Sequence, residues 1–158
     1  GKENDGEASV PEVLRAHLAT IKPGDYIAFL NYIEETPEVD RKFQELRTQL
    51  RDSTRCAVTI GYGPRFLHST GQLHKGGPDT GVFFQIIAPD EIDFAIPGEP
   101  YTFSILKQAQ ALGEELALEA TVLLLAQGAQ GLDFFIGRER SAFAGRAEGR
   151  NEAAAILE

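Results

Sequence analysis

Runs of hydrophobic residues alternate with amphipathic stretches along most of the chain. Tyr26 to Ile33 (YIAFLNYI) is an almost continuous apolar and aromatic run of strand length, which is typical of a strand covered on both faces. Similar runs at Cys56 to Gly63 and at Gly81 to Pro89 predict a second and a third strand, and the later segment GLDFFIG predicts a short one.

Helical periodicity marks three segments: one before the first strand, one between the first two strands and one after the third. Pro11 to Ile21 predicts a helix capped by Ser9, in which His17 lies on the apolar stripe and is interpreted as a partly buried residue. Thr36 and the proline after it predict the start of a second helix. Tyr101 to Gly113 predicts a third, so helices and strands alternate.

This alternation predicts a three-layer α/β sandwich with a mainly parallel sheet and helices on both faces. Residues 1–9 are polar and predict a linker or tail of a longer protein. Residues 10–113 form one predicted lobe, and residues 114–158 form a C-terminal extension that is expected to be mostly helical. The apolar run TVLLLAQ in that extension suggests a surface for oligomer contacts.

The composition and charge of the chain limit which binding partners and which cellular compartment are expected. The chain has 158 residues, a formal net charge of −9 and a pI of about 4.8, which argues against nucleic acid as a partner. Its longest apolar run is too short to cross a bilayer, so no membrane partner is expected. The single cysteine, Cys56, cannot form an internal disulfide and lies in an apolar run, which indicates a buried thiol in a reducing, cytoplasmic setting.

Most of the candidate chemistry lies in one glycine-rich stretch, Gly61 to Gly81 (GYGPRFLHSTGQLHKGGPDTG). It is interpreted as a loop beyond the carboxyl end of the second strand, where open parallel sheets bind ligands. Its histidines suit proton transfer, its hydroxyls suit sugar or phosphate oxygens, and its cations suit an anion. The residues concerned are Arg65, His68, Ser69, Thr70, Gln72, His74 and Lys75. A merely solvated loop is the alternative.

Other site types have weaker support. The two histidines of the stretch lack cysteine or carboxylate ligands at a recognised spacing, so no metal is expected. The glycines match neither the dinucleotide nor the P-loop pattern. Lys107, on the third helix, is either a solvated lysine or one that leans over the site.

The string CAVTIGYGPRFLHSTGQLHKGGPDTGVFFQI, followed by IPGEPYTFSILKQAQALG, closely resembles the C-terminal lobe of glucose-6-phosphate isomerase. The likeness is to the form fused behind transaldolase in bacterial bifunctional proteins, and it covers roughly residues 10–113. It implies a sugar-isomerase (SIS) lobe with a flavodoxin-like fold. It also implies cofactor-free interconversion of glucose 6-phosphate and fructose 6-phosphate, with the remaining lobe and a transaldolase domain as partners.

The resemblance also implies residue roles. The family's histidine motif best matches GQLH, which assigns ring opening to His74, and an extra residue in the match leaves His68 open. Lys107 falls at the family's active-site lysine, whose role is to hold substrate or developing charge. Ser69, Thr70 and Gln72 would line the sugar-phosphate pocket, with Arg65 and Lys75 as further substrate-binding residues.

One part of the family's machinery has no match in this sequence. The glutamate that moves a proton between C1 and C2 through a cis-enediol belongs to the other lobe. Glu34 and Glu35, which follow the first predicted strand, are the carboxylates considered in its place, and no motif supports them. The chain is therefore expected to be incomplete as an enzyme. A non-catalytic sugar-phosphate binding or oligomer-docking domain is the alternative function.

Overall fold

A computed structural model describes residues 9–118, 122–128 and 131–136 of the chain. The tail predicted at residues 1–9 and the end of the predicted extension therefore lie largely outside the described residues. The helices are α1 (Val10–Leu18), α2 (Pro37–Thr54), α3 (Ser69–Gly76) and α4 (Phe103–Ala117). The strands are β1 (Tyr26–Tyr32), β2 (Ala57–Tyr62), β3 (Gly81–Ile87), β4 (Val122–Gly128) and β5 (Gly131–Ile136).

The five strands form one sheet in the order β2-β1-β3-β4-β5. The first four pair in parallel, and β5 pairs antiparallel with β4. This is a flavodoxin-like α/β fold, so the predicted fold class is confirmed. Two hydrophobic clusters, one on each face of the sheet, place α1 and α2 on one side and α4 on the other.

Local sequence signals explain where the first helices begin. At the start of α1, the Glu12 carboxylate accepts a hydrogen bond from the Ser9 N–H at 2.7 Å, and the Glu12 N–H donates to the Ser9 carbonyl oxygen at 2.9 Å, so both of these backbone N–H groups are satisfied. The Thr36 hydroxyl accepts a hydrogen bond from the Val39 N–H, at 3.2 Å, at the start of α2. The predicted helix starts are therefore confirmed at both positions.

The extension differs from its prediction. Residues 122–128 and 131–136 are strands, and β4 extends the sheet beyond the boundary expected at residue 113. The prediction of a mostly helical extension is wrong for this described part, while the short strand predicted from GLDFFIG is confirmed. Because the TVLLLAQ run contributes β4, its backbone pairs with β3 and β5 within the sheet.

The strand register defines an amino edge and a carboxyl edge of the sheet. Tyr26 of β1 aligns with Ala57 and Gly81, and these residues mark the amino edge. Asn31 aligns with Tyr62 in β2, and the end of β1 aligns with the end of β3 at the carboxyl edge. Since β1 has 7 residues at about 3.3 Å per residue, the edges lie about 20 Å apart. None of the described helices is long and apolar enough to cross a membrane.

Two residues predicted to be buried are buried. Cys56 is 6% exposed and His17 is 7% exposed. His17 Nε2 lies 2.9 Å from the Phe83 carbonyl oxygen, and its ring meets Phe84 edge to face. His17 therefore ties α1 to β3.

Acid should weaken the fold through His17. Burial lowers the pKa of His17, although its hydrogen bond to Phe83 opposes the shift. Between this lowered pKa and the unfolded value of about 6.5, the unfolded chain binds more protons. The free energy of unfolding should thus fall as the pH drops below about 6.5.

Urea unfolding across this pH range tests the effect. His17→Gln keeps a donor for the Phe83 carbonyl but cannot titrate, so it should flatten the pH dependence. His68→Gln, at an exposed histidine, is the control and should keep the slope of the original chain. A full slope in His17→Gln would contradict the assignment.

Candidate functional site

The crevice between the carboxyl ends of β1 and β3 is the topological switch point of the sheet. The chain leaves β1 for α2 on one face and leaves β3 for α4 on the other face. Open α/β sheets bind ligands where successive connections diverge in this way. The carboxyl edge is therefore the candidate site.

Lys107 reaches this edge from the second turn of α4. Its Nζ donates to the Ala88 carbonyl oxygen at 2.9 Å and to Asp90 Oδ1 at 2.6 Å. Both partners directly follow β3, and the lysine side chain is 21% exposed. Lys107 is therefore not a fully solvated lysine, since its ammonium group lies at the carboxyl end of β3.

Asp90 anchors this lysine. Burial raises the pKa of Asp90, but hydrogen bonds from Lys107 and Ser104 outweigh it, so the pKa lies below the usual aspartate value. The Ser104 hydroxyl donates to Asp90 Oδ2 at 2.7 Å. The carboxylate thus stays ionised near neutral pH and holds the ammonium group at the edge.

Arg65 lies on the same edge. It begins the short 3₁₀ helix Arg65–Leu67 that follows β2, and its guanidinium forms an ion pair with Glu35, which follows β1. Both side chains are exposed, so water screens the pair and an anionic ligand could replace Glu35 as the partner of Arg65. Glu34 is also exposed.

The glycine-rich stretch is not the open loop that was predicted. Its middle part is α3, a helix of 8 residues that belongs to the crossover from β2 to β3. His68, Ser69 and Thr70 lie at the start of this helix, on the carboxyl side, and are exposed, as is Gln72 one turn along. The crossover was missed because glycine content was interpreted as flexibility.

Gly71 has a packing role in α3 and does not make the segment flexible. A Cβ at this position would lie 3.0 Å from the Phe66 carbonyl oxygen, so glycine permits close packing of α3 on the residues before it. The helix is therefore packed rather than flexible.

His74 lies at the other end of α3, on the amino edge. Its Nδ1 is 2.9 Å from the Tyr26 hydroxyl, and its ring stacks on Tyr26 and meets Phe83 edge to face. The residue is 9% exposed. Burial, followed by the nearby Lys75 charge, lowers its pKa. The structure does not bring His74 and Lys107 together, because the length of the sheet separates them.

A buried ion pair accompanies His74 on the same helix. Lys75 Nζ lies 2.7 Å from Glu114 Oε2 on α4, and the glutamate side chain is fully buried while the lysine side chain is 35% exposed. The charges touch, yet neither carboxylate oxygen has a well-aligned hydrogen bond. Lys75 therefore points toward Glu114 on α4 rather than toward the carboxyl edge.

Sequence reasoning missed the polar groups around this pair. The Tyr32 hydroxyl and Gln85 Oε1 are buried without a hydrogen-bond partner, although Gln85 Nε2 donates to the Ala111 carbonyl oxygen at 2.7 Å. Burial, and then the Glu114 charge, raise the pKa of Tyr32. The sequence does contain a signal for the buried glutamate. Glu114 lies three residues after Ala111, and this spacing places both residues on the inward face of α4.

Asn31 is the second residue that the sequence did not reveal. It lies near the carboxyl end of β1, is 0% exposed, and neither its amide oxygen nor its amide nitrogen has a partner. Each buried unsatisfied group costs about 1–3 kcal/mol. A residue kept at such a cost at a switch point is a candidate for ligand contact.

Replacing Asn31 with leucine should raise the free energy of unfolding by about 1–2 kcal/mol, because the orphaned amide disappears. Gln85→Leu is the matched comparison and should gain less, since it also breaks the bond to Ala111. Chemical denaturation measures both. A loss of stability in Asn31→Leu would show that the amide has a partner such as a buried water.

One further feature, a groove, lies away from the carboxyl edge of the sheet. A groove of about 550 Å³ at the amino edge is lined in part by Leu18, Lys22, Arg55 and Cys56, and none of the predicted site residues lines it. Among the described residues, no three His, Cys, Asp or Glu side chains are grouped as metal ligands.

Comparison with known proteins supports the fold. No family model matches the chain, and no curated protein matches it. The chain is similar to the crystal structure of hypothetical protein TT0462 from Thermus thermophilus, with a TM-score of 0.58 and 20% sequence identity. The match covers 75% of this chain and 33% of that one, so the chain spans about a third of that protein's length. At this identity the likeness concerns the fold alone.

Proposed function

We propose that the chain is a lobe of a glucose-6-phosphate isomerase that presents its carboxyl edge to a sugar phosphate. The observation that carries the proposal is the position of Lys107, whose Nζ lies 2.9 Å from the carbonyl oxygen of the residue after β3. The sequence resemblance assigns substrate holding to this same lysine. A cytoplasmic location belongs to the proposal, because the one thiol is buried and unpaired.

In this proposal the cations of the carboxyl edge bind the phosphate. Arg65 exchanges its exposed partner Glu35 for the phosphate group, which offers the same charge-assisted geometry with more acceptor oxygens. Ser69 and Thr70 add hydroxyl donors at the start of α3. Lys107 stabilises negative charge that develops on the sugar oxygen during enediol formation.

His68 is the better candidate for ring opening. It is exposed at the start of α3, where its imidazole can take the proton of the C1 hydroxyl or return one to the ring oxygen. His74 is buried at the amino edge and bonded to Tyr26. The glutamate that transfers the proton between C1 and C2 would come from the remaining lobe.

Calorimetric titration with fructose 6-phosphate tests the substrate site on the chain itself. Lys107→Met should weaken binding at least about tenfold, because a charge-assisted contact is lost. Lys42→Met is the matched control, since Lys42 is an exposed lysine paired with Glu38 on α2, and it should bind like the original chain. Equal affinity of the Lys107 and Lys42 variants would contradict the proposal.

Turnover in a protein that joins this chain to the first lobe separates the histidines. His68→Ala should lower kcat with little change in the unfolding midpoint, whereas His74→Ala should lower the midpoint. The reverse pattern would return the ring-opening role to His74. Normal turnover in both variants would exclude a histidine of this lobe.

A non-catalytic sugar-phosphate binding domain is the second candidate. The observation that favours it is the separation of His74 and Lys107 across the sheet, which leaves the family's matched histidine away from its lysine. Binding of fructose 6-phosphate without turnover in the joined protein would select this function. Isomerisation by the joined protein would reject it.

A further inference from the structure

Residues 90–103, which run from shortly after β3 to the first residue of α4, include several exposed hydrophobic side chains. Four large hydrophobic residues are markedly exposed among those described, and three of them belong to this segment: Ile92 at 70%, Phe94 at 65% and Phe103 at 55%. Single exposed hydrophobic residues are ordinary on protein surfaces, but a group of them marks an interaction site. This segment is called the strap below.

The strap is ordered by its own hydrogen bonds. Ala95 and Thr102 form a β-bridge, and the Phe103 N–H donates to the Phe94 carbonyl oxygen at 3.0 Å. The Ser104 N–H donates to Asp93 Oδ1 at 3.0 Å. A partner would therefore meet apolar side chains on a backbone that is already fixed, which lowers the entropy lost on binding.

The charge of the strap selects the kind of partner. Residues 90–103 contain four carboxylates, Asp90, Glu91, Asp93 and Glu99, and no lysine or arginine. Lys107 pairs with Asp90, and the other three acidic residues are exposed. The strap thus combines three exposed hydrophobic side chains with three exposed carboxylates.

We propose that the strap is a docking site for a protein surface that is apolar at its centre and basic at its rim. The carboxylates repel nucleic acid and anionic lipid, and strap-to-strap pairing of two copies would set carboxylates against carboxylates. Three side chains cover less than a standard interface, so the contact belongs to the small, transient class. This proposal is independent of the proposed function.

Fluorescence anisotropy tests the docking site on the full chain. The probe is a labelled amphipathic helical peptide of leucine and lysine, and the comparison peptide has glutamate in place of lysine. The lysine peptide should bind, and added salt should weaken it. Phe94→Ser should weaken binding at least about tenfold, as expected for an aromatic anchor. Leu73→Ser, at a residue of α3 that is 52% exposed, should leave it unchanged.

Several outcomes would overturn the docking site. These are no binding of the lysine peptide, equal binding of the glutamate peptide, or equal losses in the Phe94 and Leu73 variants. Strap-dependent binding to phosphatidylserine vesicles, or a dimer in sedimentation that Phe94→Ser abolishes, would assign the strap to a membrane or to a second copy instead. Glu91→Gln with Glu99→Gln should reduce both the affinity and its salt dependence, and unchanged values would refute the role of these carboxylates.

Discussion

Replacing Lys75 with methionine is expected to destabilise the folded chain by about 2–4 kcal/mol, because it leaves the buried Glu114 carboxylate without its counter-charge. The carboxylate side chain is fully buried, and Lys75 is the cation in contact with it, at 2.7 Å. Water reaches the lysine, which is 35% exposed, and this places the effect below that of a wholly buried pair.

Urea denaturation of Lys75→Met gives the size of this effect. Adding Glu114→Gln to it should recover much of the loss, because the uncompensated charge is then gone. Lys42→Met removes an exposed lysine of α2 and should cost less than about 1 kcal/mol. A Lys75→Met chain as stable as Lys42→Met would mean that the carboxylate has another source of compensation.

Gly63→Ala is expected to cost about 2–3 kcal/mol through overpacking against Tyr32. A Cβ on Gly63 would meet three atoms of the Tyr32 ring, at separations that no real Cβ tolerates. The ring cannot easily yield, because Tyr32 is 1% exposed and packs edge to face on Phe66. The backbone after β2 would have to move instead, and Arg65 would move with it.

Thermal unfolding of Gly63→Ala and Gly76→Ala separates this steric effect from the general effect of removing a glycine. Gly76 ends α3 and has open space where a Cβ would be added. Alanine there should stabilise by about 0.4–1 kcal/mol, because it reduces the freedom of the unfolded chain. Similar midpoints for the two variants would contradict the close contact between Gly63 and Tyr32.

The sequence predicted the sheet better than it predicted the site. Apolar runs of strand length and capping residues such as Thr36 are local signals, and they placed the first three strands and the helices α1, α2 and α4, but not α3 between β2 and β3. The run that forms β4 was misread because a short apolar run fits a buried helix as well as a strand. Its pairing with β3 is a contact between distant parts of the chain, and no local sequence pattern predicts it.

The helix α3 separates the predicted site residues into two groups, one at each edge of the sheet. Arg65 and His68 lie between the end of β2 and the start of α3 and so remain at the carboxyl edge, whereas the helix carries His74 toward Tyr26. Proximity along the chain was taken as proximity in space, and a helix of 8 residues rises about 1.5 Å per residue away from that edge. Asn31 was missed because an unsatisfied amide is visible only once its neighbours are placed.

The position of β2 at the end of the sheet has a consequence for association of the chain with itself. Among the described strands, β2 pairs with β1 alone, so one row of its backbone N–H and C=O groups has no partner in that set. Its six residues, AVTIGY, carry no charge, which is the composition of a strand that templates cross-β stacking. Arg55 and Pro64 flank this strand, and they are the kinds of residue that limit such growth. Aggregation of partly unfolded chains should therefore begin at β2.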